Sequence, residues 1–187
     1  MPFPIKGDYS LHSYHRCVLT RDKLAGRIGL VAAEWAMVES LLTDMFTFSV
    51  FALSKEEHAG QRIVRQAMGA LDSLNARLDI VEAIIRPRID ATLFEEYVKQ
   101  IQPELRRRAG ERNRVVHSEW HVCDRWPDDL IAFAPGQDPM RYTLKCFDDI
   151  AERIYQARVM LNNYWHRVQR SLHGEPPPPP GYPPPPP

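Results

Sequence analysis

From Leu24 onward, apolar positions recur at alternating steps of four and three: Leu24, Ile28, Val31, Trp35, Val38, Leu42, Met45 and then Ser49. This spacing returns successive side chains to one face of a long helix. Leu30, Met37, Leu41 and Phe48 widen the stripe, so the pattern predicts a central helix buried on more than one side. Ser54-Lys55-Glu56-Glu57 has the form of a capping box and predicts the start of a second helix through Ile63 and Ala67. Gly69 interrupts it. Leu71, Leu74, Leu78, Val81 and Ile85 resume the stepping until Pro87 ends it.

A third helix, capped by Asp90 or Thr92, carries Leu93, Phe94, Tyr97, Val98, Ile101 and Leu105. Pro103 must kink it or restart it at a first-turn position. The helix is expected to continue through Arg106-Arg107-Arg108 to about His117. The period then changes. Asp128 to Phe133 and Arg141 to Cys146 flank Pro135-Gly136-Gln137-Asp138-Pro139, which predicts a small β-hairpin. A last helix opened by Asp148 or Asp149 carries Ile150, Ile154, Ala157, Leu161, Tyr164, Val168 and Leu172, and Gly174 stops it.

The expected fold is all-α: a four- to five-helix up-and-down bundle with a small β-hairpin insertion before the last helix. Residues 1–19 read as an aperiodic, partly ordered arm, 20–173 as the helical domain and 174–187 as a disordered proline-rich tail. The tail holds ten of the chain's 17 prolines, a composition suited to a solvated polyproline-II extension.

Composition narrows the function classes. The 187 residues suit one domain, with 44% apolar and 26% charged residues. The 24 basic and 24 acidic side chains cancel, so affinity for nucleic acid must come from a local patch. Cys17, Cys123 and Cys146 form no CxxC pair, and their odd number argues against a disulfide framework. Met1-Pro2-Phe3-Pro4 does not open a signal peptide, and Leu41 to Leu53 is too short to span a bilayer. A cytoplasmic protein with no membrane partner is expected.

The chemistry-bearing segment is Glu111-Arg112-Asn113-Arg114-Val115-Val116-His117, closing the third helix. It resembles the HEPN superfamily, whose ribonucleases share an Arg, often followed by Asn, with His after four to six intervening residues. Here four intervene between Arg112 and His117. The resemblance extends to the early helix with Trp35-Ala36-Met37-Val38-Glu39, the two following helices, Trp120 and the amphipathic last helix. It implies a metal-independent endoribonuclease, possible in a toxin–antitoxin or phage-defence setting, acting as a homodimer on RNA with an antitoxin as a further partner. Neither a cofactor nor DNA binding is implied. Arg112 would neutralise the scissile phosphate, His117 would serve as general acid–base, and Asn113 would position. The alternative within the same family is a non-catalytic protein- or RNA-interaction domain, and a more distant one is an unrelated helical protein that dimerises through its bundle.

These residues are also chemically suited to the task. Asn113 and His117, four apart, share a helical face, and Arg112 lies one position round on a long stem. Histidine exchanges a proton near neutral pH, and the arginine fork matches phosphate oxygens. One histidine per chain is one acid–base group short, which a twofold dimer would supply. The spacing alone is unspecific: Arg114 with His121 and Arg167 with His173 also satisfy it. The plain structural account is that Arg112 and Asn113 are helix-surface residues and His117 complements the helix dipole.

Arg107, Arg108 and Arg114 are candidate RNA-backbone contacts within a local basic cluster that includes Arg106. The bland account is a solvated face with Glu104–Arg108 and Arg107–Glu111 pairs. Glu39, set in an apolar run, is a candidate to orient Arg112. His117, His121 and Cys123 lack the pattern of a metal site, as do His12, His15 and Cys17, and no metal is expected. Trp35, Trp120, Trp126 and Trp165 read as packing residues.

Overall fold

The computed structural model describes residues 1–7, 10–12, 17–51, 58–133 and 138–174. The chain is mostly helical. Its helices are α1 (Asp22–Phe51), α2 (His58–Gly69), α3 (Leu74–Ile85), α4 (Ala91–Glu96), α5 (Gln102–His117) and α6 (Leu144–Leu172), with a π-helical segment, Tyr97–Ile101, joining α4 to α5. Its strands are β1 (Phe3–Pro4), β2 (Leu11–His12), β3 (Glu119–Cys123), β4 (Trp126–Phe133) and β5 (Met140–Tyr142). The capping box at Ser54, most of the hairpin turn, His15 and the proline tail lie outside the described residues.

Local chemistry sets the helix ends. Ser73 Oγ accepts from Ala76 N at 3.1 Å to cap α3, and Asp90 Oδ1 accepts from Leu93 N at 2.9 Å to cap α4. Pro103, which has no N–H to donate, sits at the second position of α5 directly after the π-helical segment. The last helix begins earlier than its acidic residues suggest. Thr143 Oγ1 accepts from Cys146 N at 3.3 Å, so Leu144 to Cys146 are helical rather than the end of a strand.

The all-α expectation is corrected by a five-stranded antiparallel sheet in the order β1-β5-β4-β3-β2. The expected hairpin is its β4–β5 pair, with Leu130 opposite Tyr142 and Ala132 opposite Met140. Segments of the N-terminal arm form both edges: Phe3 pairs with Arg141, and Leu11 with Cys123. Two-residue strands carry no periodicity of their own, and only the partner strand holds them extended.

The described residues pack into two compact units, one drawn from 1–35 and 108–155, the other from 36–107 and 156–174. The first contains the sheet. One sheet face carries Trp120 and Tyr142, which pack on each other at 5.1 Å and on Phe147 of α6 at 5.6 and 5.4 Å. The other face carries a separate small core of Ile5, Cys123 and Ile131, with Leu11 and Trp126 against it.

The second unit is helical. Tyr97 and Tyr164 stack at 5.7 Å, and their hydroxyls donate to the carbonyls of Leu78 (3.1 Å) and Leu93 (3.2 Å). Phe48 meets Trp165 edge-on at 5.1 Å. The candidate carboxylate Glu39 pairs here with Arg77 at 3.4 Å, not with Arg112.

Burial pushes the phenols of Tyr97, Tyr142 and Tyr164 above their ordinary value of 10.0. Their stabilising contribution is complete below that value. It is lost as pH rises further, because the unfolded chain ionises first and draws the equilibrium towards itself. The melting temperature is expected to fall steeply above about pH 10. Parallel spectrophotometric titration should show these phenolates only as the fold is lost; their appearance in the folded protein near pH 10 would refute the assignment.

Candidate functional site

The site lies within the first unit, on the last two turns of α5. The helix turns Leu105, Arg108 and Val115 to the interior, continuing from Ile101 of the preceding π-helical segment, with Arg106, Arg107, Asn113, Arg114 and His117 exposed. The inward residues recur at helical spacing, so the exposed set occupies the opposite side.

Arg112 Nη1 donates to Asn113 Oδ1 at 3.0 Å and contacts His117 Nε2 at 3.1 Å. The three residues of the segment are therefore joined side chain to side chain. A guanidinium has donors but no acceptor, so the contact requires His117 Nε2 to contribute a lone pair and Nδ1 to carry the ring proton.

The helix end beneath this group is fastened. Trp120 Nε1 donates to the carbonyl of Val115 at 3.2 Å, and the Ser118 hydroxyl donates to the carbonyl of Arg114. Both carbonyls belong to the last turn, where intrahelical partners run out. Trp120→Phe removes the donor together with the five-membered part of an indole packed on Tyr142 and Phe147, and is expected to destabilise the protein by at least about 1 kcal/mol. Chemical denaturation checks this; an unchanged midpoint would mean that neither the indole N–H bond nor the lost ring contacts hold the helix end.

Arg108 departs from the expected role of RNA contact. Its side chain is only 2% exposed, and Nη1 donates to Glu111 Oε2 at 2.6 Å. The same Glu111 oxygen accepts from Arg153 Nε of α6 at 3.3 Å. The expected Arg107–Glu111 pair is replaced by this cluster. Arg107 is exposed, and so is Arg114, whose Nε donates to the Gly110 carbonyl at 3.3 Å.

Tyr142 lies within reach of the same charges. Burial raises its phenol, the Arg114 charge opposes this, and Cys146 and Glu111 add to it. It therefore stays protonated at neutral pH and offers no base. The sequence pattern assigns Glu111 to Arg107 rather than to Arg108, and gives no role at the site to Arg153 or Tyr142. A helical-spacing count placing Arg108 in line with Ile101, Leu105 and Val115 would have flagged the buried pair.

The two competing Arg–His spacings are not built as sites. Arg167 grips the Glu96 carboxylate, with Nη1 at 2.7 Å, while His173 packs against Phe48 at 5.4 Å. His121 sits on β3 against Phe133 and 3.7 Å from Glu119. Among the described residues no group of three or more His, Cys, Asp or Glu side chains is placed to hold a metal, and no helix is long and apolar enough to cross a membrane.

A cleft of about 340 Å³ occurs elsewhere in the first unit, lined by Arg27, Leu30, Glu34, Asp148, Ala151, Glu152 and Tyr155. Arg27 and Asp148 pair at 2.6 Å in its wall, and the α5 segment takes no part in it. No protein-family model, curated protein or solved structure matches the chain.

Proposed function

We propose that the protein is a HEPN-like, metal-independent endoribonuclease that works as a homodimer. The observation that supports this most directly is the contact among Arg112, Asn113 and His117 on the exposed end of α5, a cation, a positioning amide and an imidazole within one another's reach. In the proposed reaction the ribose 2′-oxygen forms a bond to the adjacent phosphorus as the bond to the 5′-oxygen breaks. One imidazole accepts the 2′-hydroxyl proton and a second protonates the leaving oxygen. Arg112 faces the charge that develops on phosphorus-bound oxygen. The second imidazole is His117 of a second copy, placed across a twofold axis.

With Arg108 buried, the proposed phosphate contacts outside the motif reduce to Arg107 and Arg114. The setting proposed is a toxin–antitoxin or phage-defence system with an antitoxin partner, and the compartment is the cytoplasm. The second reading is a non-catalytic HEPN-like interaction domain. The burial of Arg108 and the neutral net charge favour it, because both weaken the electrostatic hold on RNA.

Incubation of the full chain with diverse RNAs in EDTA separates the readings. The enzyme is expected to leave 2′,3′-cyclic phosphate and 5′-hydroxyl ends and to sediment as a dimer. Intact RNA together with a monomeric mass would sink this proposal and leave the interaction domain.

A further inference from the structure

Arg112 and His117 each occupy the group on the other that a phosphate would need. Arg112 Nη1 has two hydrogens, and both are directed, one to Asn113 Oδ1 at 3.0 Å and one to His117 Nε2 at 3.1 Å. Arg112 Nε is shielded from solvent and has no hydrogen-bond partner among the described residues. A guanidinium grips phosphate through two neighbouring N–H groups, either both terminal nitrogens or Nε with one terminal nitrogen. The first pair lacks Nη1, and the second lacks an accessible Nε. Neither fork is open in this conformation. On the other side, the His117 Nε2 lone pair is covered by the Arg112 donor and cannot take a proton from a substrate.

We propose that Arg112 is a phosphate-operated latch on His117. A phosphodiester arriving at the end of α5 takes the guanidinium fork and draws Nη1 away from Nε2. The lone pair of the imidazole is uncovered by the same movement that binds the phosphate. His117 therefore becomes available only beside a bound phosphate and stays covered in the empty protein. Asn113 holds the second Nη1 hydrogen and sets where the guanidinium rests between ligands. The latch rests on the reading of this segment as a phosphodiester site, but it makes its own prediction about a protein that cleaves nothing.

The test is nitrogen NMR of the His117 imidazole in the full chain, at a pH of about 8, above the range in which histidine side chains ordinarily hold a second ring proton. Without ligand, the ring is expected as the tautomer with the proton on Nδ1 and the lone pair on Nε2. Inorganic phosphate, or a 2′-O-methyl oligoribonucleotide that cannot be cleaved, should shift the Nε2 resonance and redistribute the tautomers.

Arg112→Gln should lose both the initial bias and the response. Arg112→Lys, which keeps the charge without the fork, should lose the bias, and the dispersion of the remaining spectrum reports whether each variant is folded. A ring protonated on Nε2 in the free protein would overturn the latch. So would an Nε2 signal blind to saturating phosphate and oligonucleotide, or an unchanged response in folded Arg112→Gln. If the latch responds but RNA is never cut, the ribonuclease reading fails alone. If RNA is cut while His117 ignores the probes, the latch fails alone.

Discussion

In the proposed ribonuclease, replacing His117 with alanine is expected to lower RNA cleavage by about 100- to 10,000-fold, the span that a positioned acid–base side chain supplies. The side chain is exposed at the end of α5, and its described contact is the one to Arg112. Removal therefore leaves no cavity, and the melting temperature should stay within about 1–2 °C of the parent, as for surface changes generally. That separation gives the prediction its force. A loss of activity with unchanged stability assigns chemistry to the imidazole, while equal activity in both proteins would remove His117 from the reaction. His121→Ala is the companion measurement, because His121 belongs to a competing spacing but lies on β3 against Phe133. Its cleavage rate should remain near that of the parent.

The second large effect falls on stability. Glu111→Ala is expected to cost about 3 kcal/mol, the lower end for breaking a buried ion pair. The carboxylate, 13% exposed, takes Arg108 at 2.6 Å and Arg153 at 3.3 Å on one oxygen. Its removal takes negative charge away from a guanidinium that is 2% exposed and cannot neutralise itself by losing a proton. Arg153, 31% exposed, can turn to water and moderates the loss. Urea denaturation of Glu111→Ala, Arg108→Met and the double variant would measure the coupling directly. The double variant should recover part of the single loss, because it leaves no buried guanidinium without its carboxylate, although the smaller alanine leaves some space unfilled. Additive losses, or a change below about 0.5 kcal/mol for Glu111→Ala, would show that the pair holds nothing in place.

Legibility in the sequence followed the range of the interactions. The α1 stripe was readable because Leu24, Val31, Trp35, Val38, Leu42, Met45 and Ser49 are all buried and repeat within one element. The Asp90 cap and the end of α5 at His117 were similarly local. The sheet edges were not, since Phe3 and Leu11 become strands only through Arg141 and Cys123. The sequence Thr143-Leu144-Lys145-Cys146 continued the alternation of a strand, but Thr143 spends its hydroxyl on a helix cap. At the candidate site the motif residues were visible as letters, and their mutual contacts were compatible with helical spacing. The burial of Arg108 was hidden by its place in a run of three arginines, where charge suggested solvent and the i, i+3 carboxylate was assigned to the wrong neighbour.

The two sheet edges also bear on the order of events during synthesis. Phe3 pairs with Arg141, and Leu11 with Cys123. Strand segments near the start of the chain therefore wait for partners more than a hundred residues later, while helices such as α1 form from neighbours as they emerge. Closing loops of that length is entropically late. Until it happens, β3 and β5 present unpaired backbone, the condition in which strands recruit other chains. The vulnerable moment for aggregation is thus the interval between completion of the central meander and return of the arm.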